Sequence, residues 1–125
     1  MDYTLETLEV YKLSEELSDQ VWKIVIKWDY FHRDTIGKQL TRAADSVGAN
    51  IAEGYGRYFF RESKQFYFYA RASLLETKTW ITKCMRRNIA EQKQWPDLLR
   101  KTELIHQKLN AYIKFVSHSA THNPK

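Results

Sequence analysis

The sequence is poor in residues that interrupt a chain or cross-link it. Its 125 residues include only 4 glycines and 2 prolines, so turns are few and the regular elements must be long. The single cysteine, Cys84, excludes an internal disulfide and favours a reducing compartment. No apolar run reaches the ~18 residues of a membrane span, because Lys23 and Lys27 interrupt the best candidate, Val21 to Trp28. The N-terminus is too acidic for a secretory signal, so we expect a cytoplasmic protein with no membrane partner.

Positive charge exceeds negative charge, and the excess is unevenly spread. The formal net charge is +5 at pH 7. Residues 1–30 carry a net charge of −4, whereas residues 31–61, 62–90 and 91–125 carry +2, +4 and +3. This asymmetry would allow attraction between copies of the chain, or binding of an anionic partner. A solubilising surface can carry the same excess, so charge alone leaves both interpretations open.

Apolar residues recur at intervals of three and four, and no strand-like alternation of useful length is present. The predicted helices cover about residues 5–28, 34–53, 61–88 and 96–116. In the second helix Gly48 predicts close approach of a neighbouring helix, because an interior glycine costs about 1 kcal/mol relative to alanine. Four long helices with short connections predict an all-α, antiparallel up-down-up-down four-helix bundle over residues 1–116. Residues 117–125 lack apolar periodicity and are expected to form a flexible C-terminal tail.

Four consecutive aromatic residues near the start of the third helix cannot all face one core. At 100° per residue, the rings from Phe66 to Tyr69 spread over about 300° of the helix circumference, whereas a core-facing stripe is only somewhat wider than ~100°. The periodicity places the core stripe on Phe66, Ala70, Ser73, Thr77, Ile81 and Cys84. The other rings need a second surface, and we predict an oligomer interface made by Tyr58, Phe59, Phe60, Tyr67, Phe68 and Tyr69.

Basic residues are interleaved with these rings and continue to the end of the third helix. Such a mixture suits single-stranded nucleic acid, since rings stack on bases while cations contact phosphates. Burial in a core or a subunit interface explains the same composition, and basic residues near a helix C-terminus also interact favourably with the helix dipole. As contacts to RNA or DNA we predict Arg57, Arg61, Lys64, Arg71, Lys83, Arg86 and Arg87.

A polar stripe lies beside the apolar stripe of the second helix. One interpretation makes Arg42 and Asn50 contacts to nucleic acid. We favour a structural network, in which Glu53 or Glu76 forms an ion pair with Arg42, because enclosed polar groups need partners. In the same network Asn50 is bonded to Ser73. The predicted network comprises Arg42, Ser46, Asn50, Glu53, Ser73 and Glu76.

Signatures of catalysis are weak in this sequence. Glu103 and His106 form one Glu-x-x-His motif, whereas a di-iron bundle needs two such motifs and two further carboxylates. Cys84 lies on an apolar stripe, as a small core residue does. The segment Gly54 to Gly56 lacks the strand and the lysine of a phosphate-binding loop. We therefore predict a protein that is not an enzyme and that binds no cofactor or metal.

Two segments carry a family resemblance: Gln39 to Arg57, QLTRAADSVGANIAEGYGR, and Phe66 to Glu76, FYFYARASLLE. The first fits the pattern Q-x-x-R-A-A-x-S-[IV]-x-x-N-I-A-E-G-x-G-R, and the second has a Phe, an Ala and a Ser-x-x-Glu element in register. The chain thereby resembles the 23S rRNA intervening-sequence proteins, a bacterial four-helix-bundle family. It departs from the family at Ala72, where Gly is usual, and at Thr41, where an Arg is common.

The resemblance implies a four-helix bundle that assembles as a toroidal homopentamer; the biochemical role of the family is not established. The accessory proteins of diversity-generating retroelements look similar in fold, and there a basic pentamer binds nucleic acid and partners a reverse transcriptase. Two hypotheses follow. In the first, the chain forms a basic homo-oligomeric ring that binds RNA or another nucleic acid. In the second, it is a protein-interaction scaffold, such as a partner of a reverse transcriptase.

Overall fold

A computed structural model describes residues 4–89 and 92–122, and the described chain forms four long α-helices and no β-strand. The long helices are α1 (Glu9–Val25), α2 (Lys38–Tyr55), α3 (Phe60–Arg86) and α4 (Trp95–His122). Short 3-10 turns, Leu5–Thr7 and Gln92–Gln94, precede α1 and α4. The prediction of an all-α fold with four helices is confirmed. None of the described helices combines the length and the apolar character that a membrane crossing requires.

The segment that leads into α2 is helical from Tyr30 onward, earlier than the predicted start near residue 34. One turn of α-helix, Tyr30–His32, is followed by a π-helical stretch, Arg33–Gly37. Asp29 caps this segment: one carboxylate oxygen accepts from the backbone N–H of His32 at 3.1 Å, and the other lies 2.7 Å from the ring Nδ1 of His32. These bonds hold the pKa of Asp29 below its usual value. Asp29 thus provides the N-cap, five residues before the predicted start.

Each long helix packs against two others: α1 against α2 and α4, and α3 against α2 and α4. The four apolar stripes meet in one core. Its largest fully buried side chains include Trp95, Tyr67, Leu17, Leu40, Ile51, Ile81, Ile105 and Leu109. Polar pairs also join the helices: Lys101 with Glu16, Lys108 with Glu9, and Lys78 with Glu103.

Glycines of α2 allow its neighbours to approach closely, as Gly48 predicted. The side chain of Glu15 from α1 lies directly over Gly48. At Gly54, a Cβ atom would lie 2.6 Å from Cε1 of Tyr67 and 2.9 Å from the carbonyl oxygen of Ser63. No real Cβ fits at that distance without displacing its neighbours, so Gly54 makes room for a ring of α3.

The core stripe of α3 therefore differs from the predicted one. Tyr67 and Leu74 are each 2% exposed and lie in the core, whereas Phe66 and Ser73 are half-buried. The ring of Tyr67 packs edge-on against Tyr112 of α4 at 5.3 Å between centroids. Burial, followed by its contact with Tyr112, raises the pKa of the Tyr67 hydroxyl far above its usual value. The placement of Tyr67 in an oligomer interface is thus wrong, because space over Gly54 and a partner on α4 draw it inward.

The last helix is longer than predicted. The expected boundary was residue 116, but α4 continues to His122. Residues 117–122 carry no apolar stripe, yet none of them is glycine or proline, so nothing in their covalent structure stops the helix. The rest of the expected tail, residues 123–125, lies outside the described residues.

Candidate nucleic-acid interface

Basic side chains and aromatic rings alternate in the connection between α2 and α3 and in the first turns of α3. The guanidinium carbon of Arg57 lies 4.7 Å from the ring centroid of Phe66. The ammonium of Lys64 lies 5.6 Å from Phe68 and 5.9 Å from Phe60, and Arg71 approaches the Phe68 ring at 4.8 Å. At these distances a cation is attracted to the ring face. The structure thus brings together three of the predicted phosphate contacts and holds their side chains in place.

Two of these cations also have polar partners. Arg57 donates to Glu53 at 3.0 Å, four residues earlier in the chain. Arg71 donates through Nη1 to Oδ1 of Asn110 on α4 at 2.8 Å. The charge of Arg57 is therefore partly compensated by Glu53. The partner of Arg71 is a neutral amide, which orients the guanidinium without compensating its charge.

The second group of predicted contacts lies at the other end of α3. The Lys83 ammonium is 4.9 Å from the ring centroid of Trp80, and the indole N–H of Trp80 donates to Glu76 at 3.1 Å. Arg86 and Arg87 are exposed and have no ion-pair partner among residues 4–89 and 92–122. At this end a lysine held by a ring therefore lies beside two arginines that form no ion pair within the described part of the chain.

Exposed rings accompany the cations, as the predicted interface requires. Tyr58 and Phe59 are 68% and 61% exposed, and their rings meet edge-to-face with centroids 4.9 Å apart. Phe68 and Tyr69 are 38% and 47% exposed, while Phe60 is half-buried. Cations already approach Phe60 and Phe68. Among the rings of the predicted interface, Tyr58 and Phe59 are the most exposed, and no described cation lies over either ring. These two are the best placed to stack on a base or on another subunit.

The predicted polar network does not join α2 to α3 in the single chain. Its hydrogen bonds run along the helices instead: Ser46 Oγ donates to the carbonyl of Arg42 at 2.7 Å, and Asn50 Nδ2 donates to that of Ser46 at 2.9 Å. The carbonyl of Ser73 accepts from Thr77 within α3. Short polar side chains bond readily to backbone four residues earlier, so Asn50 finds a partner before it can reach Ser73. The side chains of Arg42, Glu53 and Glu76 are exposed.

An apolar groove near the start of α2 had no counterpart among the predicted sites. It is lined by Trp22 of α1, by Ile26 directly after that helix and by Tyr30. Its charged lining residues are Arg33, Lys38, Arg42 and the acidic Asp34. Trp22, Ile26 and Tyr30 are 55%, 50% and 72% exposed. A sequence signal existed, since Trp22 and Ile26 are four residues apart and both lie off the apolar stripe of α1.

Glu103, of the Glu-x-x-His motif, lies in an ion pair, and Cys84 lies in the core. Glu103 pairs with Lys78 at 2.7 Å, and this bond lowers the pKa of Glu103. Within the described chain, no cluster of three or more His, Cys, Asp or Glu residues could hold a metal ion. Cys84 is fully buried, and burial raises the pKa of its thiol to about 11. A thiol with that pKa is almost entirely protonated at neutral pH and is a weak nucleophile.

Comparison with known proteins agrees with the fold and with the quoted motifs. A solved structure from Bacteroides thetaiotaomicron, described as a protein of unknown function from the S23 ribosomal protein family, superposes with a TM-score of 0.75 at 21% sequence identity. The superposition covers 84% of this chain and 98% of the other. No curated protein matches the sequence. The family model for the 23S rRNA-intervening sequence protein matches residues 6–111, and the chain therefore belongs to that family.

Proposed function

We propose that the chain is a non-enzymatic, cytoplasmic protein that assembles into a basic homo-oligomeric ring of five subunits and binds RNA or another nucleic acid. The observation that carries this proposal is the alternation of rings and cations at the start of α3. There Arg57, Lys64 and Arg71 approach ring faces within 6 Å, beside the exposed rings of Tyr58 and Phe59. Cations for phosphates and rings for bases are the two elements of a single-strand binding surface.

Support for self-association comes from the exposed rings and from the resemblance to a family of pentamers. A lone subunit leaves Tyr58, Phe59 and Tyr69 in water. Aromatic residues and arginine are enriched at subunit interfaces, so these rings are the proposed contact between copies. Repetition of the cationic surface around a ring would strengthen weak individual contacts through avidity.

The proposed bundle is antiparallel, with helices in up-down-up-down order. Glu9 of α1 pairs with Lys108 of α4, and Glu16 pairs with Lys101. A later residue of α1 therefore pairs with an earlier residue of α4, as expected for helices that run in opposite directions. The same reversal relates Arg71 and Lys78 of α3 to Asn110 and Glu103 of α4. In this order α3 lies diagonally across from α1, and its outer face is not covered within the subunit.

Fluorescence anisotropy with a labelled fragment of ribosomal RNA tests the proposal. We expect binding at about 50 mM salt that weakens steeply towards 200 mM, because each phosphate contact adds about 0.9 to the slope of log K against log salt. The R61A/K64A variant should bind more weakly, with a slope smaller by about 2. The K12A/K114A variant, which removes two exposed lysines of α1 and α4, is the matched control and should bind like wild type. Absence of binding to any nucleic acid at low salt would contradict the proposal.

The apolar groove favours a second candidate, a scaffold for a protein partner such as a reverse transcriptase. Its exposed Trp22 and Tyr30 are rimmed by three basic residues, Arg33, Lys38 and Arg42, and by one acidic residue, Asp34. The excess of positive charge around apolar rings suits an acidic amphipathic helix. This alternative predicts a protein partner that is retained after nuclease treatment and released by the W22S/Y30S variant. Loss of all bound material on nuclease treatment would instead favour nucleic acid.

A further inference from the structure

The outer face of α3 carries two pairs of cations with the same separation within each pair. Arg61 and Lys64 are three residues apart near the start of the helix, and Lys83 and Arg86 are three residues apart at its end. At 100° per residue all four lie within an arc of about 100° around the helix. The first residues of the two pairs, Arg61 and Lys83, are 22 residues apart, and so are the second residues, Lys64 and Arg86. This separation is about 33 Å at 1.5 Å per residue.

Each pair combines a lysine held by an aromatic ring with a more exposed arginine. Lys64 lies between the rings of Phe60 and Phe68, and Lys83 lies over the ring of Trp80. Arg61 and Arg86 are exposed and form no ion pair within the described residues. The rings restrict the lysines and reduce the entropy lost on binding, while the arginines keep their full charge for a ligand.

The arc that joins the two pairs contains no carboxylate of α3, and Glu76 lies about 20° beyond its edge. The helix contains only two acidic residues, Glu62 and Glu76, and both fall outside the arc of the cations. Glu76 is moreover bonded to the indole N–H of Trp80. Along the arc, the exposed side chains between the pairs include Phe68 and Leu75, so within the arc the positive charge lies at the two ends. Arg71, between the pairs, lies about 20° outside the arc.

A separation of about 33 Å is close to the repeat of a nucleic-acid double helix, since one turn of duplex DNA spans about 34–36 Å. A duplex lying along α3 would bring the backbone of one strand to the protein once at each cation pair. We propose that the outer face of α3 binds the phosphate backbone of a nucleic-acid duplex at two points one helical turn apart. This inference rests on the proposed nucleic-acid binding and specifies the form of its ligand.

The distinction between duplex and single strand follows from stiffness. The persistence length of duplex DNA is about 150 base pairs, so a duplex much shorter than this behaves as a rigid rod. It reaches both cation pairs only if its length is at least their separation. A flexible single strand can curve between the pairs and shows no sharp length requirement. The two-point contact therefore predicts a step in affinity at about one turn, or roughly 10 base pairs.

Binding of duplexes of about 6, 10, 14 and 18 base pairs to the full-length protein tests this inference. Each duplex is closed at one end by the same short loop, so that the shortest one stays paired at low salt. Affinity is measured by competition against one labelled probe at fixed low salt, with DNA, RNA and matched single strands as three arms. We expect a gain of at least tenfold between the two shortest and the two longest duplexes. The gain should be absent from the single-strand series. The tighter of the two duplex arms then identifies the nucleic acid.

The K83A/R86A variant isolates the second contact point. It should bind the 6-base-pair duplex nearly as tightly as wild type, because that duplex occupies one pair at a time and the Arg61/Lys64 pair remains. It should lose the gain shown by the longer duplexes. Its salt slope on the longest duplex should fall by about 2. The K12A/K114A variant has the same change in charge and should keep the gain. Far-UV circular dichroism verifies that each variant is folded.

The outcomes separate this inference from the proposed function. Binding that increases smoothly with length, equals that of single strands, or weakens equally in both variants would overturn the two-point contact and leave nucleic-acid binding intact. Absence of binding to every probe would overturn both. A length step that persists in K83A/R86A would also overturn the inference, because the second contact would then lie elsewhere.

Discussion

At the scale of single residues, two glycines two positions apart near the end of α2 have opposite surroundings. Gly54 is buried under the ring of Tyr67. Gly56 is exposed, and a Cβ atom there would have no neighbour closer than the carbonyl oxygen of Ala52 at 3.6 Å. Its backbone has a φ of −80°, which any residue adopts. Both glycines stand just after the predicted end of the second helix near residue 53, and the packing of α3 distinguishes them.

The G54A variant should lower the free energy of unfolding by about 1–3 kcal/mol, because the added methyl group overpacks the contact with Tyr67 and Ser63. The G56A variant is the matched control. It should be neutral or raise stability by about 0.4–1 kcal/mol, since alanine loses less backbone entropy on folding than glycine. Urea unfolding followed by circular dichroism measures both. Equal effects of the two changes would show that Tyr67 does not pack over Gly54.

The buried thiol of Cys84 makes stability depend on pH in the alkaline range. Burial raises its pKa to about 11 in the folded chain, from 9.0 for an unperturbed thiol. The folded state therefore holds the proton more tightly, and this contribution is complete below pH 9 and is lost as pH rises towards 11. The difference in unfolding free energy between wild type and the C84A variant should shrink over that interval. A difference that stays constant would mean that the thiol is accessible to water in the folded chain.

At the scale of elements, the ends of the helices depend on individual capping groups. Asn88 ends α3 in the left-handed conformation, with a φ of 53°. The N–H of Ile89 bonds to the carbonyl of Cys84 at 3.0 Å, and that of Asn88 bonds to the carbonyl of Met85 at 3.2 Å. These two bonds form a Schellman motif, for which glycine or asparagine is preferred. The motif turns the chain towards α4, where the indole N–H of Trp95 donates to the carbonyl of Ile89.

Substitution of Asn88 tests this helix end. The N88A variant should be destabilised by about 1–2 kcal/mol, because a Cβ atom without a local polar partner is strained at positive φ. The N88G variant should match or exceed wild type, since glycine adopts the left-handed region freely. Thermal unfolding of the three proteins measures the order. Equal stability of N88A and N88G would contradict the left-handed conformation at this position.

At the scale of the whole molecule, exposed aromatic surface sets the proposed assembly. Tyr58 and Phe59 lie in the connection between α2 and α3, outside the bundle core. Phe68 and Tyr69 of α3 add exposed ring surface near that connection. Exposed apolar groups that cluster in this way mark interaction sites. The cations of α3 lie beside the cluster, so assembly and nucleic-acid binding would use adjoining surfaces.

Light scattering coupled to size exclusion tests the assembly. Wild type should elute as one species of about five times the 15.0 kDa chain mass, and the Y58S/F59S variant should dissociate towards the monomer because its contact surface is reduced. The L104S/F115S variant removes exposed apolar side chains from α4 instead and should keep the wild-type mass. A monomeric wild type at micromolar concentration would refute the assembly and the avidity that depends on it.

The sequence alone determined the number of long helices and the family, because period and motif are local properties of the chain. It also located the cations of α3, since a charge is part of the residue itself. Tertiary structure decided which ring of the run from Phe66 to Tyr69 enters the core, because that choice depends on Gly54 and Tyr112 of other helices. It likewise decided that polar side chains of α2 bond along their own helix, because a partner one turn away is always within reach while one on a neighbouring helix must be positioned by packing.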